Sequence, residues 1–198
     1  MKILLFAKNA FTGISIILSM MVVLTFSACN NNPKSEDTKE VANEHNDAKF
    51  ENTKETDAQF LVNAAEMNLE EIQLGQLAQN KGSMAHVKEL GLMMEKGHTG
   101  SLKEVQLLAG KKQITLPASL TNDGQLAYKK LVDKSGADFE KAYADMMVDH
   151  HKAAIKKFEA ASTGATDLDI RAWAASMLTV LRTHLDSALT CQKECQKM

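Results

Sequence analysis

From residue 56 onward, apolar side chains recur three and four positions apart in four separate runs. Residues so spaced share one face of an α-helix. The first run is Phe60, Ala64, Met67, Glu71, Leu74 and Ala78, which predicts a long helix from Thr56 to about Asn80. Thr56-x-x-Gln59 reads as a capping box at its start. Lys81-Gly82 follows as a turn, and Ser83 as N-cap of a second long helix. Its seam is Val87, Leu90, Met94, His98, Ser101, Val105 and Leu108. This helix stops near Gly110, and Pro117 blocks continuation. Residues 122–133 predict a short extra helix in the connection. The third long helix, about 137–161, carries Phe139, Tyr143, Met147, Ala154 and Phe158 on its apolar side, with His150 and His151 flanking that face. The fourth begins near Asp167, with the seam Ile170, Ala174, Met177, Leu181, His184, Ala188 and Cys191. No run has the period of a strand. The predicted fold is all-α: an antiparallel four-helix bundle over 56–198, with a short extra helix between the second and third long helices.

Residues 1–55 depart from this pattern. Lys2 and Lys8 precede an apolar stretch from Phe11 to Phe26, which closes in Phe26-Ser27-Ala28-Cys29. A basic start, an apolar core and small residues describe a secretory signal over 1–28. Its ending resembles the lipobox of bacterial lipoproteins, with Phe26 in place of the usual Leu. The resemblance implies cleavage before Cys29 and lipidation of its thiol, so that the chain is held to a membrane by a lipid anchor. The alternative is an uncleaved N-terminal anchor, for which the apolar stretch is short against the ~20 residues of a span. Asn30 stands where an inner-membrane retention signal would have Asp, which favours the outer membrane in the cell envelope. Residues 29–55 are dominated by Asn, Lys, Glu, Asp, Ser and Thr, with Val41 and Phe50 as the large apolar residues. That composition predicts a disordered tether with a reach of roughly 30 Å.

Composition adds exclusions. A formal net charge of -2 gives no electrostatic basis for a nucleic-acid partner. The sequence names no protein partner. It contains no nucleophile–base triad, phosphate loop or nucleotide fingerprint, so no residue is assigned as catalytic.

The chemistry lies where the seams are interrupted. Glu71, His98 and His184 each stand in an apolar seam, and His150 and His151 border a fourth. Facing carboxylates and imidazoles are how helical bundles build metal sites. Glu95-x-x-His98 has the spacing of the Glu-x-x-His element of di-iron bundles, but Leu181 stands three before His184, so the second such element is missing. Met146/His150 and Met147/His151 pair a thioether with an imidazole at i, i+4, which suits a softer ion. The candidate cofactor is a transition metal: copper, zinc or iron. Other readings stand beside it: buried neutral histidines with hydrogen-bond partners, Glu71 reaching water from the seam's edge, and methionines as core filler. Height along the bundle also counts against one cluster. At 1.5 Å per residue, Glu71 lies roughly 16 Å and His98 roughly 25 Å from the first turn, while His150 lies roughly 22 Å and His184 roughly 29 Å from the last. Cys191 and Cys195 form an even pair once Cys29 is lipidated. The expectation is a disulfide, with the helix ending or unwinding near Cys191. The alternatives are two soft-metal ligands or two free thiols.

Residues 56–188 resemble a family. Leu69-Glu70-Glu71-Ile72-Gln73-Leu74-Gly75, Val87-Lys88-Glu89-Leu90 with Met94 and His98-Thr99, Ile114-Thr115-Leu116-Pro117, Met147-Val148-Asp149-His150 and Leu181-x-x-His184-Leu185 occur in order across the four helices. Together they resemble the exported bacterial "predicted outer membrane protein" domain of unknown function 4142, a ferritin-like helical family. The resemblance implies a ferritin-like bundle and an envelope location, and no activity. Gly97 stands where that family tends to place Asp, so it either admits a close neighbour or is a tolerated surface glycine. Met146-Met147-x-x-His150-His151-x-x-Ala154-Ile155 also resembles a motif of another small exported helical family with copper-binding members. The first functional expectation is a non-catalytic envelope protein, binding or stress-related. The second is a metal-binding protein, and the third a di-metal oxidase.

Overall fold

The computed structural model describes residues 37–50 and 53–198. The expected signal and Cys29 lie outside the described residues. Six helices occur among them: α1 (Thr38–Asp47), α2 (Thr53–Lys81), α3 (Ala85–Lys112), α4 (Asn122–Val132), α5 (Gly136–Gly164) and α6 (Leu168–Cys195). The four long helices are those of the four seams, and α4 is the expected short helix.

Helix ends differ from expectation in two places. α2 starts at Thr53, so Thr56 is already inside it and Thr56-x-x-Gln59 is no capping box. Its neighbour Asp57 instead accepts hydrogen bonds from the backbone N–H groups of Thr166 (3.0 Å) and Asp167 (2.8 Å), tying α2 to the α5–α6 turn. Ser83 does not cap α3. The N-cap is Met84, and the Ser83 and Met84 N–H groups and the Ser83 hydroxyl all donate to Glu140 Oε1 of α5. A carboxylate from another helix satisfies the donors that a local side chain usually would. α3 ends in Gln113, at a left-handed φ of 58°. The Ile114 and Gln113 N–H groups fold back onto the carbonyls of Ala109 and Gly110, as in a Schellman stop.

The core consists of two apolar clusters stacked along the bundle. One holds Leu74 and Ala78 of α2, Val87 and Met94 of α3, Phe139 and Tyr143 of α5, and Ala188 and Cys191 of α6. The other holds Leu61 and Ala65 of α2, Val105 and Ala109 of α3, Ala154 and Phe158 of α5, and Ile170 and Leu181 of α6. Their order gives each helix its direction: α2 and α6 run one way, α3 and α5 the other. α2–α3 and α5–α6 are therefore antiparallel hairpins, and α3 and α5 point the same way. The segment 113–135 must recross the length of the bundle, and it carries α4, whose Ala127 and Leu131 join the first cluster. One long crossover between two hairpins is the ferritin-like arrangement. Gly75 and Gly91 let α2 and α3 approach: a Cβ at Gly75 would lie 2.6 Å from the Gly91 carbonyl oxygen, and one at Gly91 2.7 Å from that of Gly75.

The expected disordered tether is corrected over its second half. α1 forms within it and docks. Asp37 caps it, accepting from Lys39 N–H (2.8 Å) with one oxygen and from Asn122 N–H (2.8 Å) with the other. Asn46 is buried, donating to the Thr115 carbonyl (2.9 Å) and accepting from the Thr115 N–H (2.8 Å). Polar side chains that pair with the crossover's backbone anchor α1, which a count of apolar residues does not register.

Candidate metal centre

Between the two apolar clusters lies a polar layer. Asn68 and Glu71 of α2, His98 and Ser101 of α3, His151 of α5 and His184 of α6 are all buried there. Each long helix thus contributes its seam-breaking residue at the gap between clusters.

His98, His151 and His184 form the centre of the layer. Each offers a ring nitrogen within 4.8 Å of those of the other two. Their ring centroids are 5.5, 5.2 and 5.4 Å apart, a nearly equilateral triangle. His151 Nε2 and His184 Nδ1 are 3.3 Å apart. Two nitrogens on one zinc-sized ion lie about 3.3 Å apart, given metal–nitrogen bonds of about 2.0–2.1 Å. That pair already has the spacing of shared ligands, and His98 offers a ring nitrogen within 4.8 Å of its neighbours'.

Neighbouring groups fix two of the ring tautomers. Asn68 donates its amide to the Ala64 carbonyl (2.8 Å), which turns Oδ1 towards His98 Nδ1 at 2.9 Å. An amide oxygen accepts only, so His98 Nδ1 carries the proton and Nε2 the lone pair. His98 Nε2 is buried with no partner. His151 Nδ1 likewise donates to the Met147 carbonyl at 2.9 Å, leaving its Nε2 lone pair facing His184. Oxygen acceptors behind the imidazoles, aiming their other nitrogens inward, are the usual support of metal-binding histidines.

The electrostatics agree. Burial pushes His98 down to about 3, with the neighbouring histidines adding and Glu71 opposing. Burial and His151 lower His184 to about 4, again against Glu71. Both rings are neutral at neutral pH, the form a metal needs. Glu71 is 1% exposed. Burial pushes its carboxyl up, but the His150 hydrogen bond and the surrounding imidazoles outweigh it, so its affinity for protons falls below the ordinary carboxylate value. A carboxylate of lowered proton affinity, with one oxygen buried and unpartnered, therefore stands beside the triad, in which His98 and His184 are held neutral. The donor set fits a cation.

Not every expected residue joins the triad. His150 is half-buried at the outer edge, 3.0 Å from Glu71 Oε1 and 3.6 Å from Glu70 Oε1. Burial lowers its pKa, but the Glu71 bond and the charges of Glu71, Glu70 and Asp149 raise it overall. Glu95 is on the surface, accepting from Gln76 (2.8 Å) and Gln79 (2.7 Å), so the Glu-x-x-His element does not assemble. Met146 and Met147 pack in the apolar cluster next to the layer, and Met147 serves His151 through its backbone. Cys191 and Cys195 are separate buried thiols, and α6 stays helical through Cys195. The expected disulfide and early helix end are therefore not seen: an intact turn holds the two Cβ atoms about 5–6 Å apart, whereas a disulfide needs about 3.8 Å.

Two features escaped the sequence. Asn68 stands between Ala64 and Glu71 at the same seam spacing, a readable but unread signal. Gly97 was open between two readings, with no sign of its neighbour: a Cβ there would lie 2.5 Å from His184 Cε1 and 2.7 Å from its Nε2. Of the two readings of this glycine, close approach is the one realised, and the neighbour is an imidazole.

The family described as "Domain of unknown function (DUF4142)" matches residues 42–190. The chain belongs to the DUF4142 family. The DUF4142 match begins inside α1, which agrees with α1 being part of the folded unit. It spans the whole polar layer and stops one residue short of Cys191. No curated protein and no solved structure matches this DUF4142 chain.

Proposed function

We propose that this chain is a metal-binding protein of the cell envelope that holds one divalent first-row transition ion between His98, His151 and His184. The observation that carries the reading is the triad itself, with one nitrogen of each ring within 4.8 Å of the other two. Imidazole donors suit zinc, copper, iron and nickel, and zinc or copper(II) fits three neutral nitrogens beside one carboxylate best. Each histidine of the triad is 5% exposed or less, so no open face greets a substrate. Holding or buffering an ion fits this closure better than turnover. The di-metal oxidase reading loses support with Glu95 on the surface. Sequence before Cys29 supports export and a lipid anchor; Cys29→Ser should then shift the protein out of the membrane fraction.

The test is equilibrium dialysis of purified full-length protein against zinc or copper(II), with elemental analysis. One ion per chain is expected. His98→Ala, His151→Ala and His184→Ala should each lose it. Asn68→Ala, which frees the His98 ring, should weaken binding roughly 10–100-fold. Equal binding by wild type and the His151→Ala variant overturns the reading.

A further inference from the structure

The structure carries a second cluster of metal-ligand atoms, at the bundle end where α2 and α6 finish and α3 and α5 begin. We propose that Cys191 and Cys195 of α6 and Met84, the N-cap of α3, bind one soft monovalent ion of the copper(I) class. The site is independent of the histidine triad.

Three observations carry the proposal. Cys195 Sγ lies 3.9 Å from Met84 Sδ. Two sulfurs bound to one ion at about 2.3 Å, with trigonal or tetrahedral angles, stand roughly 3.8–4.0 Å apart. Cys191 is one helical turn before Cys195 on the same face, and both are almost fully buried, at 2% and 1% exposure. One intact turn is too wide for a disulfide, but two sulfurs meeting at a shared ion need no direct bond. The third observation is Glu140. Its Oε1 accepts from the Ser83 and Met84 N–H groups and so fixes the Met84 backbone, while its Oε2 is buried without a partner. Met84 links the carboxylate to the thiol pair, its N–H bonded to Glu140 Oε1 and its Sδ 3.9 Å from Cys195 Sγ. The sulfur cluster thus sits against a buried, fixed helix start with a polar atom still unused.

The donor set chooses the ion. Thiolate and thioether ligands select copper(I) over harder ions. Three sulfurs complete a trigonal copper(I) shell, whereas structural zinc asks for four ligands. Binding exchanges two thiol protons, released to solvent, for one cation, with no electron transferred. Entry is provided by a surface groove between α3 and α6 that Cys191 borders, along with Met93, His86, Glu89 and Asp186. Met93 is partly exposed and offers a thioether on the way in. The two cysteines lie beyond the family match over 42–190, and Met84 lies within it.

The experiment uses full-length protein with Cys29→Ser, which leaves Cys191 and Cys195 as its only thiols. It also carries His98→Ala and His151→Ala, which leave a single imidazole of the triad and so remove that site. Copper(I) is supplied without oxygen from a coloured chelator that competes for it, and the bound ion is read by X-ray absorption. One copper(I) per chain is expected, with a sulfur shell at about 2.3 Å, and both thiols protected from alkylation. Met84→Leu keeps the packing and should weaken binding at least tenfold with an unchanged circular dichroism spectrum. Cys191→Ser should abolish it. A nitrogen or oxygen shell, unprotected thiols in the copper-loaded protein, or unaltered affinity in Met84→Leu overturns the proposal. Since the triad is absent throughout, none of these outcomes depends on the histidine site.

Discussion

Gly97 has no side chain, and the His184 ring occupies the room this leaves. An added methyl would lie 2.5 Å from one ring atom, so Gly97→Ala must displace the imidazole. Overpacking costs about 1–3 kcal/mol, but the better helix propensity of Ala returns about 1 kcal/mol. The variant should therefore melt between wild type and roughly 8 °C below it in metal-free form, while binding metal at least tenfold more weakly. Dialysis and thermal melts of the same sample separate the two effects. The burial of the triad also sets a pH dependence. His98 falls from 6.5 to about 3 and His184 from 6.5 to about 4 on folding. Between those values the unfolded chain binds protons that the folded chain refuses. Metal-free protein is thus at full strength above pH 6.5 and loses stability as pH falls towards 4, by about 1.4 kcal/mol per unit for each histidine. Urea titrations at several pH values should show this slope, and it should shrink in His98→Ala.

At the scale of elements, Asn46 is the buried polar anchor of α1. Asn46 makes both of its hydrogen bonds to Thr115 of the crossover. Asn46→Ala leaves the Thr115 N–H unpaired and should cost about 1–3 kcal/mol, with hydrogen exchange rising first in α1. The seams of α2, α3, α5 and α6 were legible because burial along one face repeats every three to four residues. α1 was not, because its anchors are polar and their partners lie far away in the chain. The site divides in the same way. His98, His184 and Glu71 were visible as interruptions of apolar seams. Of the adjacent pair on α5, periodicity could not say that His151 turns inward while His150 stays at the rim, since they lie on either side of the face centre. Heights reckoned from the turns placed the histidines apart. The long side chains and the pairing of Asn68 with His98 absorb that offset. The lone pairs on His98 and His151 follow from Asn68 and Met147, which no spacing rule reveals.

For the molecule as a whole, an ion at the triad should act as a stabiliser. A ligand at a hundred times its dissociation constant adds about 2.7 kcal/mol to the folded state. For a domain of this size each kcal/mol raises the melting temperature by roughly 2–4 °C. Zinc should therefore raise it by roughly 5–11 °C in wild type and leave His151→Ala unchanged, as differential scanning calorimetry would read.

The long crossover gives that ion a part in the order of assembly. α2–α3 and α5–α6 are each joined by a tight turn, and their contacts are close in sequence, so each hairpin can form early. Docking the hairpins is the non-local event and the one that topology makes slow. It is also the event that strips water from Glu71, His98, His151 and His184, with Glu71 Oε2 and His98 Nε2 left unpartnered. The triad takes one ligand from the first hairpin and two from the second, so an ion joins the halves just where their meeting is least favourable. Metal present during refolding should quicken the late docking phase rather than the early formation of hairpins. On the proposed reading, in which an exported chain reaches its compartment unfolded, a bound ion would be a cue for when the two halves close.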